Sequence, residues 1–245
     1  MNPLTSTSAK MRLVKLICFG LLFVLIILLA TWQLSRSTTY QLFGDIISHI
    51  ETDQPVIALT FDDGPSPQYL QNDLETLASS STPATFFLVG QDVRAHPDLA
   101  RSIAQAGHEI GNHSFSHPRM LLMSPNKIAQ EIEATDAAIR DTGYQGPIHF
   151  RPPFGKKLVT LPRYLAKHNR PAIMWDIAPE NWQGSIEQRA DQITREVKPG
   201  SIILLHIMYK AGDGARQFLP VMIKRLKSQG YEFVTLSELL AHSEE

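Results

Sequence analysis

Apolar positions change their spacing sharply along this chain. From Leu16 to Ser35 they run without a charge, mostly Leu, Ile, Val and Phe. At a rise of about 1.5 Å per residue, about 20 such residues cross a hydrocarbon core of about 30 Å. Lys10, Arg12 and Lys15 precede the run and only Arg36 follows closely, so residues 1–15 read as a cytoplasmic basic tail and the rest as exported. A cleaved signal peptide is the competing reading. The length of the run, and Trp32 and Gln33 following Ala30 where a small-residue cleavage site would end it, favour a single-pass signal anchor over 16–35. The expected location is the cell membrane, with the remainder periplasmic or extracellular. Residues 36–54 read as a spacer merging into the domain. There Leu42, Phe43, Ile46, Ile47 and Ile50 make a short amphipathic pattern suited to the domain surface.

Over 55–245, short apolar runs alternate with helical periodicity. Val56–Phe61, Ala84–Val89, His108–Ile110, His149–Arg151, Ala172–Trp175, Ser201–Leu205 and Tyr231–Thr235 read as strands. Pro125–Thr142 reads as a helix capped by Ser124, with Pro125 in its first turn and Gly143 at its end. Further helices are expected around Leu161–His168, from Ser185 through Val197, over Gln217–Ser228, and after Ser237 as a cap. Alternation of this kind implies an α/β fold with a parallel sheet under helices. About seven steps suit a distorted (β/α) barrel better than an open doubly wound sheet. In both, chemistry gathers at the C-terminal strand ends.

Composition adds exclusions. The 245 residues hold 23 Lys and Arg against 24 Asp and Glu, so no nucleic-acid partner held by phosphate electrostatics is expected. One cysteine, Cys18, rules out an intrachain disulfide. Its surroundings lack the small residues expected before a lipidated Cys, and it reads as a small hydrophobe. No protein partner is legible.

The reactive side chains follow the strands. Asp62-Asp63-Gly64-Pro65 follows the first, His113-Ser-Phe-Ser-His117 the third, and Pro152-Pro153-Phe154-Gly155 follows Arg151. Asp176, Glu180, Asn181 and Trp182 come after the Trp175 strand, and His206 after Leu205. Taken alone, Asp-Asp-Gly-Pro is an ordinary turn and two histidines four apart are surface residues. Together they offer one Asp and two His as metal ligands with a position left open, as in catalytic zinc sites, and a second Asp as base.

These segments resemble the polysaccharide deacetylase family, carbohydrate esterase family 4, also called the NodB homology domain. Thr60-Phe61-Asp62-Asp63-Gly64-Pro65 matches its first motif and His113–His117 its second. Arg151-Pro152-Pro153-Phe154 matches the third except for Phe where Tyr is usual, and Leu204-Leu205-His206 is similar to the fifth. The likeness spans roughly residues 55 to 240 and implies a distorted barrel of about seven strands. It implies Asp62 as general base, Arg151 orienting it, and Asp63, His113 and His117 holding a divalent metal, Zn2+ before Co2+ or Ni2+. It further implies His206 as general acid, the Phe154 N–H with Pro153 at the oxyanion, and Trp182 and Leu204 around the acetyl methyl. The fourth motif departs: Ala178-Pro179-Glu180-Asn181-Trp182 lacks both expected aspartates, and Glu180 or Asp176 is expected to supply the missing charge beside His206.

The implied activity is metal-dependent removal of N-acetyl groups from N-acetylhexosamine polysaccharide. Peptidoglycan is favoured, ahead of chitin-like oligomers or an exopolysaccharide. The alternatives are an O-acetyl esterase or deformylase on a lipid-linked sugar, and a catalytically decayed carbohydrate-binding protein.

Overall fold

A computed structural model describes residues 4–242. The first three residues of the basic tail and the last three of the chain lie outside them. Helix α1 (Leu4–Arg36) opens the chain. Its stretch Met11–Arg36 is long and apolar enough to cross a membrane, a description a signal sequence also meets. Phe19, Leu21, Phe23 and Cys18 are exposed along it, with no protein surface to cover them.

Seven strands are found among the described residues: β1 (Ile46–Ile47), β2 (Val56–Asp62), β3 (Thr85–Leu88), β4 (Glu109–Asn112), β5 (Ala172–Ile173), β6 (Ile202–Leu205) and β7 (Glu232–Val234). The main sheet runs β4-β3-β2-β6, with β7 against the first half of β2. Every ladder is parallel. All seven residues of β2 are buried, as a near-continuous apolar run covered on both faces requires. Ile57, Leu59 and Phe61 enter the main core with Phe86, Ile203 and Met222. Val56 and Ala58 face a smaller cluster with Phe87, Ile202 and Leu236.

Helices α2 (Leu70–Ser79), α3 (Gly90–Ala95), α4 (Pro97–Gln105), α5 (Pro125–Asp141), α6 (Thr160–Lys167), α7 (Ile186–Glu196), α8 (Asp213–Ser228) and α9 (Leu236–Ala241) pack around the sheet. Ser124 caps α5 and Ser185 caps α7, as expected from the sequence, and Ser185 does so in a reciprocal capping box with Gln188.

The architecture is the expected α/β fold, but the barrel is not closed. β1 and β5 pair only with each other. They meet β4 through Phe150, which makes single bridges to Asn112 and to Ala172. On the far side Ile177 bridges Ile203, and His49 bridges Ser201. The expected strand over His149–Arg151 is thus reduced to one residue. Pro152 and Pro153 follow at once, and proline has no N–H with which to extend a ladder. The seventh strand comes instead from the stretch read as a surface spacer: Ile46 and Ile47 pair with Ala172 and Ile173, and Ile50 is buried in the smaller cluster.

A second difference concerns α9. Thr235 caps it in a capping box with Glu238, which leaves Ser237 inside the helix. Ser237 instead meets the buried carboxylate of Glu109, donating its N–H at 3.1 Å and its hydroxyl at close range. Thr85 Oγ1 donates to the same carboxylate at 2.8 Å. Burial pushes the Glu109 pKa up, but bonds from His149, Ser237 and Thr85 outweigh it and hold it below the ordinary value. A lowered carboxylate pKa stabilises the fold above the unfolded-state pKa and loses that contribution as pH falls through the folded one. Glu109→Ala should therefore cost about 2 kcal/mol at neutral pH. Urea melts should show the deficit narrowing as pH is lowered through the carboxylate range.

Candidate active site

The reactive side chains meet at the C-terminal end of β2. Asp62, the last residue of that strand, is buried. Its Oδ1 accepts from Nη1 of Arg151 at 2.7 Å. The same nitrogen reaches Thr60 Oγ1 at 2.8 Å, while Nε and Nη2 donate to the carbonyls of Ile173 and Met174. Arg151 is fully buried, with its guanidinium 4.1 Å from the Phe87 ring centroid. Burial alone raises the Asp62 pKa, but Arg151, then His113 and His206, pull it below its usual value. The carboxylate is ionised and fixed.

Asp63 turns the other way, with φ +76°. Its Oδ1 lies 3.3 Å from Nε2 of His117 and 4.0 Å from Nε2 of His113. The three potential ligand atoms lie within 4.8 Å of one another. His113 is buried, and its Nδ1 is 2.9 Å from the Arg151 carbonyl oxygen. A carbonyl only accepts, so Nδ1 carries the proton and the Nε2 lone pair faces both aspartates, 3.6 Å from Asp62 Oδ2 and 4.0 Å from Asp63 Oδ1, the arrangement of a metal-ligating histidine with its outer hydrogen bond in place. Burial, the largest influence on His113, keeps its pKa below the ordinary value, which also favours the neutral ligand form. The donor set fits a divalent cation.

The loop holding both histidines is fixed by a residue the sequence reading did not single out. Glu131 on α5 is buried and accepts from the N–H groups of Phe115 and Ser116 and from the Ser116 hydroxyl, at 2.8–3.0 Å. A single Glu on an amphipathic helix carries no sequence signal for this. The loop also bonds to the start of α3, Gly90 N–H to Ser114 O and Gln91 N–H to Phe115 O. A Cβ at Gly90 would stand 2.6 Å from Thr135 Oγ1, so only glycine allows the approach.

His206 follows β6. Its Nδ1 lies 2.6 Å from Glu180 Oε1, and its backbone N–H donates to Oε2 at 2.8 Å. Glu180 sits on a short 3-10 turn, Pro179–Asn181. Burial opposes the charged imidazole, but the Glu180 bond and the Asp62 charge prevail and push the His206 pKa up to about 9. Asp176, the other expected substitute, is engaged elsewhere: it accepts from Ser201 Oγ and Ile202 N–H at 2.8 Å and lies 2.9 Å from His49 Nδ1. Asn181 is exposed.

Phe154 packs against His117, with ring centroids 4.5 Å apart and the rings tilted by 52°. It lies in the 3-10 turn Pro153–Gly155, with buried Pro153 before it and its own φ at +58°. Leu204 is buried on β6 opposite Thr60. Trp182 is half-buried and packs against the main core. Tyr209, unassigned from sequence, lies 5.9 Å from His206 between ring centroids and lines both adjoining clefts, of about 410 and 250 Å3. A larger cleft of about 540 Å3 between α5 and α6 contains none of these groups.

If Glu131 sets the ligand loop, Glu131→Gln should weaken divalent-metal affinity about 10- to 100-fold. Asp63→Ala should abolish measurable binding. Isothermal titration with Zn2+, alongside thermal melts, tests both.

The sequence profile described as polysaccharide deacetylase matches residues 49–173. Among curated proteins, the chain is 36% identical to the peptidoglycan-N-acetylglucosamine deacetylase PgdA of Listeria monocytogenes over 189 residues, 75% of this chain but only 38% of that one. Among solved structures, it resembles peptidoglycan deacetylase PdaC from Bacillus subtilis with TM-score 0.67 and 33% identity, covering 80% of this chain and 94% of that one. It also resembles a CE4 family pseudoenzyme from Bacillus anthracis, with TM-score 0.70, 28% identity and coverage of 79% and 68%. With the motifs, their geometry and these matches in agreement, the chain belongs to the polysaccharide deacetylase family, carbohydrate esterase family 4.

Proposed function

We propose that this chain is a membrane-anchored hydrolase that removes N-acetyl groups from the N-acetylhexosamine residues of peptidoglycan. The observation that carries the reading is the contact of Glu180 with His206. It restores a carboxylate beside the acid although both family aspartates are missing, while Asp62, Asp63, His113 and His117 all stand in reactive positions. The names of the Listeria and Bacillus subtilis relatives support the substrate. The apolar span of α1 supports an anchor with its N-terminus cytoplasmic and the domain outside, including β1.

Asp63, His113 and His117 would hold the metal. Two imidazoles and a carboxylate suit Zn2+, and the same donors accept Co2+ or Ni2+. When bound, the cation supplies Lewis-acid chemistry. Asp62, oriented by Arg151, takes a proton from the water that attacks the acetyl carbonyl. The N–H of Phe154 is the backbone donor for the developing oxyanion. That role uses only the main chain, so Phe serves where the family usually has Tyr. His206 protonates the departing nitrogen, without which an amine is a poor leaving group. Leu204 stands at the site as an apolar wall for the acetyl methyl.

The similarity to a pseudoenzyme makes a decayed site the relevant alternative. Acetate release from peptidoglycan fragments and N-acetylglucosamine oligomers by the full chain in detergent separates the two. The proposal expects release that stops on chelation, returns with Zn2+, and falls about 10²- to 10⁴-fold in Asp62→Asn. Release indifferent to both chelation and Asp62→Asn would sink it, and acetate from O-acetylated sugars alone would turn the reading to an esterase.

The raised pKa of His206 gives a signed prediction. A general acid works protonated, so activity should fall as pH rises through about 9. Removing the charge of its partner disfavours the imidazolium. Glu180→Gln should move the alkaline limb of the kcat/KM profile toward neutral by about one pH unit or more, and an unmoved limb would deny Glu180 this role.

A further inference from the structure

The outer end of α1 is fastened to the catalytic domain beside the Phe154 turn. Ser35 is buried, and its carbonyl accepts from the Lys157 N–H at 2.9 Å. Lys157 Nζ, itself buried, donates to the Ser37 carbonyl at close range. Lys156 follows the Pro153–Gly155 turn directly, and its Nζ lies 3.7 Å from the centroid of the Trp32 ring. The anchor is therefore a strut attached next to the oxyanion loop.

Positive charge collects at this joint. Arg36 ends α1, and Arg119 lies with its guanidinium 4.8 Å from the Phe154 ring centroid. Both are near enough to Lys156 to depress its pKa, after the larger effect of burial. Lys156 is only 8% exposed, yet no carboxylate pairs with it, with Arg36 or with Arg119 among the described residues. Arg36 and Arg119 are exposed, but the nearly buried Lys156 beside them has no counter-charge, which an anion bound at this joint would supply. The cluster lies at the end of the apolar span next to an exposed tryptophan, the depth at which lipid headgroups meet protein. It also lies on the side that positive residues normally avoid in a span of this orientation.

We propose that Arg36, Arg119 and Lys156 form a binding site for the phosphate of an anionic phospholipid headgroup, which holds the catalytic cleft against the bilayer surface. The proposal rests on the anchor reading above. Trp32 would sit at the interface, and the guanidinium of Arg119 would couple the bound headgroup to the Phe154 turn. The site would favour acetylated glycan close to the membrane over glycan far from it.

Native mass spectrometry of the detergent-solubilised full chain, titrated with a phosphatidylglycerol or the matched phosphatidylcholine, reads the site directly. The anionic lipid should bind on the order of tenfold more tightly. The combined Arg36→Gln, Arg119→Gln and Lys156→Gln variant should lose that preference. The charge-keeping Arg36→Lys, Arg119→Lys and Lys156→Arg variant should retain it, which separates loss of charge from loss of fold. Equal affinity for the two lipids, a preference that survives charge removal, or displacement of the lipid by an equal concentration of inorganic phosphate would each overturn the proposal. Alkaline extraction of membranes tests the anchor separately. A chain released by it overturns the anchor and the proposal together, whereas a retained chain without headgroup preference overturns the proposal alone.

Discussion

The buried pair of Arg151 and Asp62 is the constraint around which the rest is arranged. An ion pair out of water is tolerable only when its remaining hydrogen-bonding capacity is met. Here the guanidinium also donates to Thr60 on β2 and to the carbonyls of Ile173 and Met174 at the end of β5. Its main chain continues the tie, with N–H to Asn112 on β4 and carbonyl to His113. One residue thus joins three strands across the segment where proline interrupts the ladder. Backbone pairing at this point is reduced to single bridges through Phe150, and the side-chain bonds of Arg151 add to it. The same bonds fix the Asp62 carboxylate and set the tautomer of His113, so closing the fold and preparing the site are one set of interactions. Removing Arg151 would leave Asp62 as an uncompensated buried charge, which is why the two cannot vary independently.

Backbone conformation shows how tightly the site loops are specified. Six non-glycine residues have positive φ among the described residues, and four of them, Asp63, Ser114, His117 and Phe154, belong to the site. Each costs of order 1–3 kcal/mol relative to an ordinary conformation and persists only where neighbours over-determine it. The neighbours are visible: Asn112 Oδ1 accepts from Ser114 N–H, Ser114 Oγ accepts from His117 N–H, and Glu131 holds the two residues between. At Asp63 the left-handed turn is what separates adjacent carboxylates, sending Asp62 to Arg151 and Asp63 to the histidines.

Much of this was legible in the sequence. Val56–Phe61 is a continuous apolar run ending in Asp-Asp, and a buried parallel strand delivering carboxylates to a sheet end is its direct consequence. Ser124, Ser185 and their followers name their helices through capping chemistry alone. What escaped depends on long-range pairing. Ile46 and Ile47 look like a surface stripe because their partners, Ala172 and Ile173, lie far along the chain. Ser237 has the chemistry of a cap but is drawn away by Glu109, a tertiary contact that leaves Thr235 to cap α9. Glu131 and Tyr209 carry no local signal, since their roles exist only once the loops have folded onto them.

The altered fourth motif shows how a site keeps its electrostatics while changing residues. Asn181 could offer His206 a hydrogen bond but no charge, and a neutral partner does little to hold an imidazole protonated. Glu180 is one position earlier and one methylene longer than an aspartate at 181 would be, and it sits on the 3-10 turn at Pro179–Asn181. The longer side chain lets one carboxylate bind both Nδ1 and the backbone N–H of the same residue. That two-point grip fixes where the ring lies as well as its charge. Nδ1 is committed to Glu180, which leaves Nε2 as the other ring nitrogen, and the charge of Asp62 contributes to the raised pKa. A decaying site has no reason to rebuild such a pair, since a partly buried histidine and carboxylate are costly unless each satisfies the other. The exchange at positions 180 and 181 therefore argues for retained acid catalysis, because the carboxylate beside His206 is kept while the residue that carries it changes.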